Sequence, residues 1–379
     1  MRRGLNLLAL FLLIEVLDEV VFGAREAAWP VIRRDLELSY AEVGLLLSLP
    51  GLAAAVFEPG LGLLADTGRR RLLVVAGGVA FAAGLLIAAA ATGFAWLLAG
   101  FVVLWPASGA FVSLSQAALM DLDRDRQERN MARWTLAGSV GAVAGPLLIG
   151  AAVAAHWSWR AVFLGLAALT LPLAAAAFRA PAAPAVHDSF RAALRGLLRA
   201  LRRWGVLRWL LVVEVTNLMG DVLLGYLALY FVDVAGLSAA EAAGVVVVWT
   251  LAGLAGDALL LLLLRRISGH RFLQVSAVIA LAVYPAFLLT PGPAAKVALL
   301  AVLGLVHAGW YAIPQGRLFA ELGDQSGTAV AMSSLSSAAG SLLPLIVGAL
   351  AARAGLGAAF WVLLAAPLAL LLFAGRRPG

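Results

Sequence analysis

Glu15, Asp18 and Glu19 sit in the middle of an apolar run, LNLLALFLLIEVLDEVVF, that extends from Leu5 to Phe22. A carboxylate in the hydrocarbon of a bilayer costs several kcal/mol unless it is paired, protonated or facing water, so it marks a functional position. On a helix Glu15 and Glu19 stand one turn apart, and Asp18 falls beside them within an arc of about 100°. The three therefore face one way, away from the leucines that meet lipid. Further polar groups lie within other apolar runs: Glu58, Glu214, Asn217, Asp221, Asp257 and His307. No lysine or arginine is expected at their depth, because Arg25 and Arg160 fall at the outer ends of runs, and Arg133 and Arg317 near inner ends. An unpaired buried carboxylate takes up a proton or holds a cation. Either behaviour suits cation transport; the alternative is a set of protonated acids hydrogen-bonding between helices. Asp18, Asn217 and His307 would also suit a divalent metal as oxygen and nitrogen ligands. Trp105, Tyr226, Trp249, Trp310 and Tyr311 could line a pocket through cation–π contact or serve as packing residues. Gln116 and Gln315 read as helix-packing hydrogen bonders near the inner face, with substrate contact as the alternative.

What must position these groups is a membrane. The chain has 379 residues, 63% hydrophobic and 13% charged, and its mean hydropathy is +0.97. No soluble globular domain has that balance. The net charge of +7 would suggest nucleic acid in a soluble protein. Here the arginines fill short gaps between apolar runs, where they act as topology signals, so no nucleic acid is expected. The absence of cysteine excludes disulfides and thiolate metal sites. The basic MRRGLN start lacks a small-residue cleavage site and is expected to lead into a retained first span.

Runs long enough to span fall at about 5–24, 42–65, 73–92, 95–120, 131–154 and 160–178, then 207–232, 240–264, 272–290, 294–318, 328–352 and 356–374. These predict an all-α membrane protein of twelve helices. With both termini inside, 22 of the 28 Lys and Arg are cytoplasmic, a clear positive-inside bias. Segment 179–206 ends in SFRAALRGLLRALRRW, whose apolar residues follow helical spacing between arginines. That pattern predicts a basic amphipathic helix on the inner membrane surface, within a cytoplasmic linker that separates residues 1–178 from 207–379.

The two halves repeat. A shift of 199 residues lays Glu15 on Glu214, Asp18 on Asn217, Ser39 on Ser238, Glu42 on Glu241, Glu58 on Asp257 and Gln116 on Gln315. With one residue deleted, Pro146 falls on Pro344 and Gly150 on Gly348. Coincidence of rare polar residues within apolar runs argues for two six-helix repeats.

The turn Gly60–Leu73, GLGLLADTGRRRLL, resembles the loop signature G-x-x-x-D-R-x-G-R-R of the major facilitator superfamily. Gly62, Asp66, Arg70 and Arg71 take the family positions, Thr67 replaces an arginine, and the glycine comes one place early at Gly68. An acid beside a basic turn at a helix end would serve as a conformational latch. GSVGAVAGPLLIGAA, Gly138–Ala152, resembles the family's antiporter motif at Gly141, Gly145, Pro146 and Gly150, with Ile149 in place of a second closing glycine. Small residues at this spacing let helices approach closely, and the proline bends the helix, so the span reads either as a tight hinge or as plain close packing. HWSWRAVFL resembles the W-R-x-x-F opening of the sixth span. The family's proton antiporters usually carry an arginine in the fourth span, four residues before a glycine; here Trp105 takes that place before Gly109.

The resemblance implies two six-helix bundles whose first, fourth, seventh and tenth spans line a cavity. It implies a drug:proton antiporter-like exporter of a cationic or amphipathic small molecule, coupled to protons, monomeric, in the cell membrane and without a cofactor. The acids with Asn217 and His307 would bind substrate and proton, while Asp66, Arg70, Arg71, Gly141, Gly145 and Pro146 would gate. A divalent-metal exporter is the runner-up. An enzyme acting on lipids would need clustered nucleophile–base or metal ligands, and the four histidines are scattered.

Overall fold

A computed structural model describes residues 2–65, 69–122, 127–178, 202–322 and 338–374. Every regular element among them is helical. Among the described residues ten helices are long and apolar enough to cross a membrane. Of the twelve expected runs, the first lies on α1, Arg2–Asp35, whose charges set it apart from those ten, and the eleventh on a shorter apolar helix, Ala338–Ala354. Asp66 and most of the expected surface helix, residues 179–201, lie outside the described residues.

Contacts divide the chain into two compact units, Met1–Glu42 with Leu46–Asp188, and Ser189–Gly379 with Val43–Leu45. The first contains α1, α2 (Tyr40–Leu64) apart from Val43–Leu45, α3 (Arg70–Ala89), α4 (Phe94–Ser108), α5 (Leu114–Leu122), α6 (Gln127–Ala154) and α7 (Trp159–Ala177). α1 runs on past its apolar stretch to Asp35, and Arg33 and Arg34 in its last turn suit the helix dipole. Close helix approach is bought with glycine. A Cβ on Gly141 would stand 2.5 Å from the Val16 carbonyl, and one on Gly145 would stand 2.5 Å from both Ala24 N and Val20 O, so α6 lies directly on the α1 backbone. Gly84 and Gly100 do the same for α3 and α4. The fourth span is not uniform: five residues, Gly109–Ser113, form a π turn between α4 and α5.

The second unit contains α8 (Trp204–Thr216), α9 (Asp221–Asp233), α10 (Ala239–Leu263), α11 (Gly269–Leu289), α12 (Pro293–His307), α13 (Ala312–Leu322) and α14 (Leu343–Ala354). Its seventh span is broken by a 3₁₀ turn at Asn217–Met219 and by Gly220. The tenth is broken after His307, where Gly309 takes φ +75°, a conformation that costs glycine little. The breaks are tied together, since Thr216 Oγ1 donates to the Trp310 carbonyl at 3.2 Å.

Two repeat-matched polar pairs are helix starts. In the first unit Ser39 N donates to Glu42 Oε2 at 2.8 Å and Glu42 N to Ser39 Oγ at 3.2 Å. In the second, Ser238 N donates to Glu241 Oε2 at 2.8 Å and Glu241 N to Ser238 Oγ at 3.3 Å. These are capping boxes, so their recurrence reflects shared architecture.

Candidate functional site

In the first unit two of the acids, Asp18 and Glu58, meet at the end of α4. Asp18, 8% exposed, accepts a hydrogen bond from Ser108 Oγ at 2.9 Å. The next residue, Gly109, meets Glu58: a Cβ there would stand 2.8 Å from Glu58 Oε1. Consecutive residues at the start of the π turn thus receive an acid from α1 and an acid from α2. Such turns open a helix locally and recur at functional positions. Glu15, 7% exposed, lies over Gly138 of α6, whose Cβ would stand 2.7 Å from Oε1, and Glu19 runs alongside the same helix at Gly141. Glu58 itself is exposed.

Above these acids, α1 and α4 meet through aromatic rings. Phe22 and Trp105 stand edge to face with centroids 4.8 Å apart. The Arg25 guanidinium lies 4.3 Å over the Trp105 ring and is ion-paired with Glu26. Both charged residues are buried. The sequence reading put Arg25 at an outer helix end; it stands ten residues short of the end of α1 at Asp35, about 15 Å by helical rise. The reason is that the helix outruns its apolar stretch, so the edge of hydrophobicity misjudged its length. Ser108 and the seat of Glu15 at Gly138 were not singled out from sequence. The string LWPASGAF, with Pro106 and Gly109 flanking Ser108, was the available signal of a helix irregularity.

In the second unit the groups collect at the two breaks. Asn217 and His307 both border Gly220: a Cβ there would stand 3.3 Å from Asn217 Oδ1 and 3.5 Å from His307 Nε2. Glu214 and Asn217 face Gly340. Asp221 is exposed, and both it and Glu214 act electrostatically on Tyr311. Asp257 is exposed on α10 and interacts with the backbone N–H of Gly309 at the tenth-span break. Its neighbour Gly256 allows that approach, since a Cβ there would stand 2.6 Å from the Leu305 carbonyl.

The aromatic candidates separate into two kinds. Tyr226 is fully buried and donates to the Pro344 carbonyl at 2.8 Å, and Trp310 donates from Nε1 to Ser276 Oγ at 2.9 Å. Both are committed to packing. Trp105 is half-buried and Tyr311 exposed, so these two remain available for lining. Trp249 packs against His307 at 5.6 Å, and Trp310 lies on the same imidazole at 5.4 Å. Among the described residues no three His, Cys, Asp or Glu side chains gather as a metal set. Gln116 Nε2 reaches Met131 Sδ at 3.7 Å, a contact between α5 and α6.

Of the expected gating groups, Gly141 and Gly145 lie against α1, and Pro146 Cδ stands 2.9 Å from a Cβ built on Gly23. Arg70 and Arg71 open α3, with Arg71 placed 5.3 Å from the Phe178 ring. The W-R-x-x-F opening has a clear role: Trp159 Nε1 donates to Asp35 at 3.0 Å, Arg160 pairs with the same carboxylate, and Arg160 Nη2 reaches the Ala91 carbonyl at 2.8 Å. This joins the ends of α1, α3 and α7. A buried lysine does comparable work in the second unit: Lys296 Nζ donates to Tyr230 OH, Phe287 O and Leu288 O at 2.9, 2.7 and 3.0 Å.

Comparison with known proteins agrees with this architecture. The multidrug efflux pump LfrA of Mycolicibacterium smegmatis is 33% identical over 174 residues, covering 45% of this chain and 33% of that protein. The inner membrane transport protein YajR of Escherichia coli is 31% identical over 123 residues, covering 32% of this chain and 24% of that protein. The matches thus span at most about a third of these relatives' length. A solved bacterial homolog of the human lysosomal transporter Spinster superposes with a TM-score of 0.79 over 98% of this chain and 95% of its own, at 18% identity. That likeness shows the fold. The family model for the Major Facilitator Superfamily matches residues 20–343, and the chain belongs to this family of multi-pass membrane transporters.

Proposed function

We propose that the protein is a secondary active transporter that exports a cationic or amphipathic small molecule in exchange for protons by alternating access. On this reading twelve helices form two six-helix bundles in the cell membrane, both termini are cytoplasmic, and the protein acts as a monomer. Substrate, proton and lipid are its partners, and no cofactor takes part. The observation that carries the reading is the meeting of Asp18 and Glu58 at consecutive residues, Ser108 and Gly109, with Glu15 and Glu19 on the same helix as Asp18. Carboxylates gathered in one region do not all stay ionised; one holds a proton until a cation displaces it. That competition is sufficient for exchange. The description of LfrA as a multidrug efflux pump supports the same direction.

The test is reconstitution in liposomes with an internal pH dye, followed by addition of organic cations, divalent metals and neutral sugars in turn. Proton movement dependent on an organic cation supports the reading. Metal flux at constant pH would favour a metal exporter in its place.

A further inference from the structure

The first unit holds a cation of its own on an aromatic surface. The Arg25 guanidinium lies 4.3 Å over the half-buried Trp105 ring and 5.2 Å from the Phe22 ring. Delocalised cations are drawn to the negative faces of such rings, and more strongly where water is excluded. One helical turn further along α4, Ser108 holds Asp18. Trp105 therefore stands about 5 Å along the α4 axis from the residue that holds Asp18. Arg25 has a second partner in the buried Glu26. Burying such a pair is no efficient way to gain stability, since an apolar pair of similar size does as well or better.

We propose that the corner formed by Phe22 and Trp105 is the recognition surface for the cationic group of the substrate, and that Arg25 covers it as a tethered competitor. The inference rests on the export reading above and narrows its substrate class to delocalised organic cations. A small hydrated ion would gain little from the ring face and would not displace a guanidinium from it. When substrate enters, the guanidinium leaves the indole and keeps Glu26 as its counter-ion, so no charge is stranded. The substrate's own charge then takes the place that Arg25 held over the Trp105 ring. Competition of this kind keeps the site closed to weak cations and admits those with larger aromatic or alkyl surface.

The experiment measures binding of tetraphenylphosphonium to the full chain in nanodiscs, with dye-detected proton release as a parallel readout. The charge-neutral double variant Arg25→Gln/Glu26→Gln removes the competitor without leaving an unpaired acid. It is expected to tighten binding by roughly three- to tenfold, the range a single cation–π contact supplies. Arg25→Lys keeps the charge but loses the planar stack, and it should shift affinity the same way by less. Trp105→Leu should weaken binding and cancel the gain in the double variant, while Trp105→Phe keeps most of it. Unchanged or weaker binding in both Arg25 variants, or wild-type binding in Trp105→Leu, overturns the proposal. If wild-type protein binds tetraphenylphosphonium and releases protons while the variants match it, only this inference falls. If wild-type protein does neither, the export reading falls and the inference with it.

Discussion

Ser108 donates a hydrogen bond to Asp18 across 2.9 Å from the last residue of α4 before the π turn. Ser108 meets α1, while Gly109, the first residue of the turn, lies under Glu58. Two acids are therefore received where α4 gives way to the turn.

If this hydrogen bond organises the cation site, Ser108 and Asp18 act as a unit. Ser108→Ala and Asp18→Asn should each weaken cation binding, and the double variant should be little worse than Asp18→Asn alone. A hydrogen bond to a charged group is worth about 1.5–3 kcal/mol, so the coupling energy in a double-mutant cycle should fall in that range. Simple additivity of the two losses would separate Ser108 from the function of Asp18.

The glycines of α6 make a second, sharper contrast. A Cβ on Gly145 meets backbone atoms of α1 at 2.5 Å, whereas one on Gly138 meets the end of the Glu15 side chain at 2.7 Å. Backbone cannot yield as a carboxylate can. Gly145→Ala should lower stability by about 1–3 kcal/mol, the usual cost of overpacking. Gly138→Ala should fold normally and change substrate affinity by moving Glu15. Thermal unfolding and binding measured on both variants distinguish these effects; equal destabilisation by the two would deny Gly138 a role in seating Glu15.

The helical class and the family were legible because apolar run length and rare motif residues carry them directly. Close approach at Gly141 and Gly145 was legible for the same reason, since small residues at four-residue spacing have one common use. The burial of Arg25 was not. Where a helix ends depends on caps and tertiary contacts, such as Asp35 with Arg160, and the fall in hydrophobicity near Phe22 came earlier. Nor was the pairing of Ser108 with Asp18, which joins positions 90 apart in sequence and which periodicity within a run does not reveal. The breaks at Gly220 and Gly309 are a mixed case: glycine marks them, yet glycine is so common in this chain that the signal is diluted. The role of Lys296 was not legible, because its three oxygen partners come from two other helices.

Lys296 gives a third prediction. Its removal leaves Tyr230 OH and two carbonyls at the end of α11 without their donor. Lys296→Ala should lower stability by about 2–4 kcal/mol, with substrate affinity unchanged in the folded fraction. Loss of affinity at wild-type stability would make Lys296 a site residue.

Asp35 lies beyond the apolar run of α1, where burial raises its proton affinity but hydrogen bonds from Arg160 and Trp159 more than offset this. Its pKa is therefore lower in the folded protein than in the unfolded chain. The stabilisation is complete above the ordinary carboxylate value of about 4 and is lost as pH falls through the depressed folded value. The gap in unfolding temperature between wild type and Asp35→Asn should be constant from about pH 8 to 5 and close below about pH 4. A gap that stays constant at low pH would show that the carboxylate charge is not what joins α1 to α7.

The final prediction concerns unequal acids in equal places. Glu15 and Glu214 are repeat-matched, yet Asp18 and Glu19 follow the first while Asn217 and Leu218 follow the second. Glu15 is buried against Gly138 among further carboxylates, whereas Glu214 is half-buried at a helix break beside Asn217 and acts on Tyr311 together with Asp221. A cation gains most where several acids share its field, so the first-half acids are expected to hold substrate. A proton needs only one acid, and Asp257 or broken-helix Glu214 supplies one. Glu15→Gln should therefore weaken substrate binding more than Glu214→Gln. Glu214→Gln or Asp257→Asn should flatten the pH dependence of transport. Substrate affinity and transport rate measured from about pH 5.5 to 8.5, the range over which a shifted carboxyl exchanges its proton, decide the matter for Glu15→Gln, Glu58→Gln, Glu214→Gln and Asp257→Asn. Wild-type affinity and pH dependence in all four variants would reduce these acids to hydrogen-bonding groups between helices, and exchange would have to be sought elsewhere in the chain.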